Sequence, residues 1–162
     1  MLTKVISGGQ IGADVAALRA AQKCGLETGG FVPKGWRTLD GPAPELSEFG
    51  CVETNSSDYP SRTKLNVQQS DATMRIAVDF NSKGEKLTLR EIQRANRPCY
   101  DVPVDVSSDG YSIARHHLRE VVEWVRANNV HVLNVAGNGR TEIEPIVQTF
   151  LTLVFRALRD QV

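Results

Sequence analysis

Residues 6–18 read ISGGQIGADVAAL, and the order of residue types in that stretch sets the fold class. Leu2, Val5 and Ile6 form a short apolar lead-in, and the alanine-rich run that starts at Asp14 favours helix. Between them, Gly8, Gly9 and Gly12 put three glycines into five positions. Glycine supplies positive φ for a turn without a Cβ clash. It also lets something approach the backbone, and free N–H groups at a helix N-terminus make an anion site. The stretch alone leaves both readings open. Its pattern is strand, glycine turn, helix.

That pattern repeats along the chain. Residues 29–37 and 51–54 carry strand signals, and 72–80 alternates well enough for a buried strand. Residues 61–70 read as a short helix with Ser61 as N-cap, and 87–96 as a helix closed by Arg97-Pro98. Residues 99–104 suit an outer strand, because Pro103 is poorly tolerated in a central one. Two amphipathic helices follow, one through Ile113, His117, Val121 and Val125, the other through Ile143, Val147, Phe150, Val154 and Leu158. Between them 131–136 is a strong buried-strand signal. Strands alternating with helices imply parallel pairing and right-handed crossovers. The expectation is one domain over 1–162, a Rossmann-like α/β three-layer sandwich with a mainly parallel sheet. Residues 29–60 form a long irregular region carrying Phe31, Trp36, Leu39, Phe49 and Tyr59, expected to lie over one sheet edge and wall a pocket.

Nineteen basic and nineteen acidic side chains cancel, which argues against a nucleic-acid or membrane-surface binder. Cys24, Cys51 and Cys99 are odd in number and far apart, so neither a disulfide framework nor a zinc knuckle is suggested. Free thiols fit a reducing cytosol. No apolar run approaches the ~20 residues of a membrane span. A soluble, cytoplasmic protein is expected.

Ligands of open α/β sheets settle beyond the carboxyl ends of the strands, so the loops after each strand are the ones to inspect. The first holds Gly8, Gly9, Gln10, Gly12 and Asp14; Asp14 either compensates the helix dipole or accepts from a ligand hydroxyl or ring N–H. A second strand–glycine–helix turn holds Gly137, Asn138, Gly139 and Arg140, the last available for a bidentate oxyanion contact. Lys34, Gly35 and Arg37 surround an indole and would suit an anionic, ring-bearing ligand. Arg62 and Asn66 lie one helical turn apart, and Asp71 precedes the buried strand, where it most simply fixes a turn. His116 and His117 read as rim histidines rather than catalytic ones. No nucleophile elbow, metal-spaced histidine cluster or complete P-loop is present.

GGQIGAD, GGFVPKGWRTLDGP, RTKLNVQQSDAT and VLNVAG together resemble the "putative molybdenum carrier protein" family, in the right order over nearly the whole chain. That family sits in the circularly permuted branch of the Rossmann-like SLOG group, beside the lysine-decarboxylase-like phosphoribohydrolases. The resemblance implies a nucleotide-like anion or the molybdenum cofactor (molybdopterin) as ligand. It places Gly8, Gly9, Gln10, Gly12, Asp14, Lys34, Gly35, Arg37, Arg62, Asn66, Asp71 and Gly137 at the site. Three positions depart from the pattern: Ile11 replaces a small hydroxyl residue, 80–86 lacks a Gly-Gly-Thr turn, and Arg140 follows Gly-Asn-Gly rather than a proline-bearing turn. The related hydrolases carry a glutamate four residues past their last loop glycine, where this chain has Ala16.

The leading expectation is a non-catalytic binding or carrier protein for an anionic phosphorylated heterocycle. The alternatives are a nucleotide-binding sensor and a nucleoside-monophosphate N-glycosidic hydrolase using Asp14 or Asp71. Leu153 and Phe155, beyond the main stripe of the last helix, leave surface for a second copy, so a homo-oligomer is expected.

Overall fold

A computed structural model describes residues 1–160. In chain order, β1 (Lys4–Ile6) leads through the glycine turn into α1 (Ala13–Lys23) and β2 (Glu27–Val32). The irregular region contains a small hairpin, β3 (Arg37–Thr38) and β4 (Gly41–Pro42), a 3-10 helix (Pro44–Phe49) and β5 (Cys51–Glu53). Then come α2 (Tyr59–Gln68), β6 (Ala72–Ala77), α3 (Lys83–Ala95) and β7 (Cys99–Pro103). A second hairpin, β8 (Asp105–Ser107) and β9 (Gly110–Ser112), precedes α4 (His116–Ala127), β10 (Val132–Gly137) and α5 (Glu144–Arg159).

The main sheet has the order β5-β2-β1-β10-β6-β7, and every pairing in it is parallel. The crossovers β1–α1–β2 and β7–α4–β10 travel one way across the sheet; β5–α2–β6 and β6–α3–β7 travel the other. Right-handed crossovers therefore put α1 and α4 on one face and α2 and α3 on the other. Consistently, α5 packs on α1 and α4, while α2 packs on α3. The strand order reverses around β1, β10 and β6, so the crevice between the two helical layers opens there.

Central strands are covered on both faces, which is why all six residues of β6 are buried, Thr73 and Arg75 among them. Arg75 is neutralised from the edge strand β7, where Nε donates to Asp101 at 2.8 Å and Nη2 makes a further, shorter bond to the same carboxylate. Pro103 sits at the end of that edge strand, as its missing N–H requires. The main core joins β1, β6 and β10 to α1, α4 and α5 through Val5, Met74, Leu133, Val135, Leu151 and Phe155. Each large side chain buried there contributes ~1.5–3 kcal/mol.

Three expectations are revised. The N-cap of α2 is Asp58, whose carboxylate accepts the Ser61 N–H at 2.8 Å, so the helix starts at Tyr59, with Pro60 in its first turn. Helix α3 begins at Lys83, because Ser82 caps it by accepting the Glu85 N–H at 3.3 Å. Phe155 is fully buried in the core, which leaves Leu153 as the exposed apolar residue of α5. The irregular region is no loose loop: it forms the outer strand β5 and closes a second small core of Leu18, Val32, Leu46 and Cys51.

Candidate functional site

A cleft of about 270 Å³ opens at the carboxyl ends of β1, β10 and β6. Gln10 and Asp14 reach it from the β1–α1 turn, and Gly137, Asn138 and Gly139 from the end of β10. Tyr59, Arg62 and Thr63 of α2 form one wall, and Ser82, Glu85 and Thr88 of the α3 start form another. Leu39, 62% exposed on the β3–β4 hairpin, forms its lip.

The glycines that announce the site mainly let the chain meet itself. A Cβ on Gly8 would lie 1.8 Å from Nη1 of Arg62, so Gly8 is the bed on which that guanidinium rests. A Cβ on Gly12 would fall 2.3 Å from the Asn138 carbonyl oxygen, and one on Gly137 would fall 1.9 Å from the Ile76 carbonyl oxygen. The two glycine turns thus cross each other at backbone distance. Gly9 has φ +70° and packs under Val32 and Leu46.

The amides at the start of α1 are largely taken by the protein. Gln10 N–H donates to Asp14 Oδ2 at 3.2 Å, and Ile11 N–H to the Gln10 side chain at 3.1 Å. Gly12 N–H donates to Glu144 Oε1 at 3.0 Å, and Ala13 N–H to the Asn138 carbonyl at 3.3 Å. Carboxylates of Asp14 and Glu144 therefore stand where an oxyanion was expected, since the same partial positive charge attracts either. The Gln10 side-chain oxygen also accepts from Leu39 N–H at 2.9 Å, which ties the hairpin to the turn.

The electrostatics follow from depth. Burial raises the Asp14 carboxyl above its usual range, opposed by Arg62, whose Nη1 lies 3.5 Å away. Burial pushes Glu85 up to about 7, opposed by Arg75 and reinforced by Asp14. The Glu85 carboxylate sits 3.7 Å from Arg75 Nη1, too far for a hydrogen bond, and that Nη1 donates to the backbone carbonyl of Glu85 instead. Two buried side-chain atoms at the cleft have no hydrogen-bond partner, Arg62 Nε and Glu85 Oε2.

Of the residues singled out in the sequence, Gln10, Asp14, Arg62, Gly137, Asn138 and Gly139 meet at the cleft. Asn138 is also architectural. Its side-chain oxygen accepts from Val78 and Asp79 N–H, at 2.7 and 3.0 Å, and its amide donates to Asp79 O at 3.1 Å. Arg37 lies one residue back, its guanidinium 4.9 Å from the Tyr59 ring; Arg62 sits 5.5 Å from the same ring. Lys34, Gly35 and Arg140 are outside the lining; Lys34 is exposed and Gly35 N–H is held by Glu53. Asn66 is not free for a ligand, because its amide clasps both backbone groups of Phe31 at 2.8 and 2.9 Å. Asp71 is at the wrong end of the sheet. It precedes β6 and accepts from His131 and Val132 N–H, both at 2.8 Å. Burial works against its ionisation, but those two amides, together with the nearby charges of His131 and Arg97, outweigh it and hold its carboxyl below the usual range.

Glu85, Thr88 and Glu144 escape the sequence reading, whereas Leu39 and Tyr59, named there as part of a region walling a pocket, do line the cleft. Ser82-Lys83-Gly84-Glu85 does carry the capping-box pattern of a helix start, the one signal that pointed to that corner. The glutamate is diverted inward to Arg75 rather than back to its own cap.

The model of the circularly permutated YpsA SLOG family matches residues 5–158, almost the whole chain. The chain belongs to that family. Among solved structures, this SLOG domain is similar to "Putative molybdenum carrier protein" from Syntrophus aciditrophicus SB. The two are 32% identical with a TM-score of 0.80, over 98% of this chain and 95% of that one. Curated proteins provide no match. Among the described residues no helix is long and apolar enough to cross a membrane.

Proposed function

We propose that this SLOG domain is a binding protein for a small phosphorylated heterocycle, with the molybdenum cofactor as the candidate that its Syntrophus relative's name suggests. The observation that supports this is Arg62. Its side chain is 13% exposed at the cleft, its Nε lacks a partner, and a switch-point crevice is where α/β sheets bind ligands. With the α1 amides occupied, phosphate recognition falls to Arg62, supported by Arg37 across Tyr59, rather than to the glycine turn. The cleft is just under the ~300 Å³ at which ordinary ligand pockets begin. It suits one ring system with a charged group at the mouth.

The hydrolase alternative has one observation in its favour. Glu85 and Asp14 are two buried carboxyls in one cleft, both held above their usual range by burial, and glycosidic cleavage uses such a pair. Asp14, however, is committed to its own turn and to Arg62.

Protein purified from its own cells, analysed by native mass spectrometry and then by ligand release, decides between them. A pterin with molybdenum, one per chain, is the expected result. A nucleotide mass favours the sensor reading, and release of free base from added nucleoside monophosphates favours the hydrolase. Empty protein that binds no phosphorylated heterocycle on titration overturns the proposal.

A further inference from the structure

The cleft has an acidic interior and a basic mouth. The side chains of Asp14 and Glu85 are 2% and 3% exposed, against 13% for Arg62, and Arg37 lies at the surface. A phosphate driven to the bottom would face two carboxylates at low dielectric, where like charges repel most strongly. The charged end of a ligand therefore belongs at the mouth, and whatever enters first must carry hydrogen-bond donors.

Of the two carboxylates, Asp14 already accepts hydrogen bonds, from Gln10 N–H and Arg62. Glu85 is paired with Arg75 by charge alone, its Oε2 lying 3.7 Å from Nη1. Its Oε2 accepts no hydrogen bond, although the side chain is almost completely shielded from solvent. Neither Arg75 nor Thr88 serves it: Arg75 donates to Asp101 and to the Glu85 backbone, and the Thr88 hydroxyl donates to Gly84 O at 3.0 Å. Leaving a buried acceptor unmet is unfavourable, and a ligand donor would relieve it.

Resting on the binding-protein reading above, we infer that Glu85 recognises an amidine-type pair of N–H groups on the ligand's ring, with the ring inserted first and the phosphate held at Arg62. A carboxylate matches two parallel N–H donors in one plane. An aminopyrimidinone edge, as in guanine or a pterin, offers that pair. Adenine offers a donor beside an acceptor, and the acceptor would face the carboxylate.

The groups that face Glu85 are Arg75 from β6, Arg62 from α2, Asp14 from α1 and Asp101 from β7. Their balance with burial leaves its proton poised near neutrality, at about 7. The donor pair needs the ionised form, so binding releases a proton and tightens from pH 6 to pH 8.

The test is calorimetric titration of the full chain with GMP and with AMP, which share sugar and phosphate and differ in the recognised edge. At pH 8 GMP is expected to bind more than about tenfold tighter than AMP, since a site built for donors rejects a base that lacks them. Glu85→Gln should abolish or reverse the preference, because its amide presents one acceptor and one donor, which mismatches guanine's two donors and matches adenine's donor–acceptor edge. Lowering the pH of the unmodified protein from 8 to 5 should erase the same preference, and this needs no variant to fold. Equal affinity for both nucleotides, unchanged by pH or by Glu85→Gln, overturns the donor-edge inference and leaves the phosphate reading standing. Binding of neither nucleotide, nor of a pterin phosphate, overturns both.

Discussion

Glu85→Gln removes a titrating carboxyl from an enclosed corner of the cleft while keeping the side chain's shape, so its effect on stability should depend on pH. The glutamate's pKa rises from 4.5 to about 7 on folding, mainly because burial disfavours the charged form. The folded chain therefore holds a proton that the unfolded chain has released between those two values. Stability must fall as pH rises through that window. Each pKa unit amounts to ~1.36 kcal/mol. The rise from 4.5 to about 7 thus corresponds to about 3 kcal/mol of native-state stability, present below pH 4.5 and lost by pH 7. Glutamine does not titrate, so the variant lacks this loss. Urea denaturation of both proteins at half-unit steps from pH 4.5 to 8 measures it as a difference of differences, in which shared groups that do not interact with Glu85 cancel, while its coupling to Asp14 is part of what is measured. The variant should gain about 3 kcal/mol on the parent between the acid and alkaline ends of that range. Parallel pH profiles, agreeing within about 0.5 kcal/mol, would mean that Glu85 ionises as it does in water and that the interior of the cleft is well hydrated.

Further variants probe the scaffold around it. Asn138→Ala strips hydrogen bonds from Val78 N–H, Asp79 N–H and Asp79 O and should cost about 2–4 kcal/mol by urea denaturation; a loss below about 1 kcal/mol would show that water replaces the side chain. Gly30→Ala places a Cβ 2.0 Å from the Ser7 carbonyl at φ +133° and should cost more than about 3 kcal/mol. Gly35→Ala, at φ +82° with nothing within 4 Å, should cost about 1–2 kcal/mol, and equal costs would refute the distinction between collision and strain. Asp71→Asn should lower stability near neutrality, by an amount that vanishes as pH falls below the ordinary carboxylate range, and should leave nucleotide affinity unchanged. Arg62→Gln should weaken GMP and AMP alike by about tenfold or more in calorimetry, and undiminished affinity would remove Arg62 from the phosphate role.

Periodicity, with the punctuation of glycine and proline, determined the fold class. The alternation of short apolar runs with amphipathic stretches, and Pro103 in the outermost strand, led to a parallel three-layer sandwich because those signals reflect local backbone geometry and one-sided or two-sided burial. The loops after β1 and β10 were legible as site candidates for the same reason: glycine between a strand and a helix is a local mark. What those glycines do was decided only in three dimensions. Gly8 reads identically whether it faces a phosphate or the Arg62 guanidinium, 54 positions further on, and only the packing of α2 over the turn chooses the guanidinium. Asp71 was legible as preceding β6, and hence as lying at the amino end of that strand with a turn-fixing role. Pairing with β10 decided its partners, His131 and Val132 rather than its own turn. Glu85 carried a capping signal, yet its carboxyl was drawn under the helix by Arg75, a charge buried in the central sheet. Local propensity is written in neighbouring residues. Desolvation and charge pairing depend on residues far apart in the chain, and the folded protein alone brings those together.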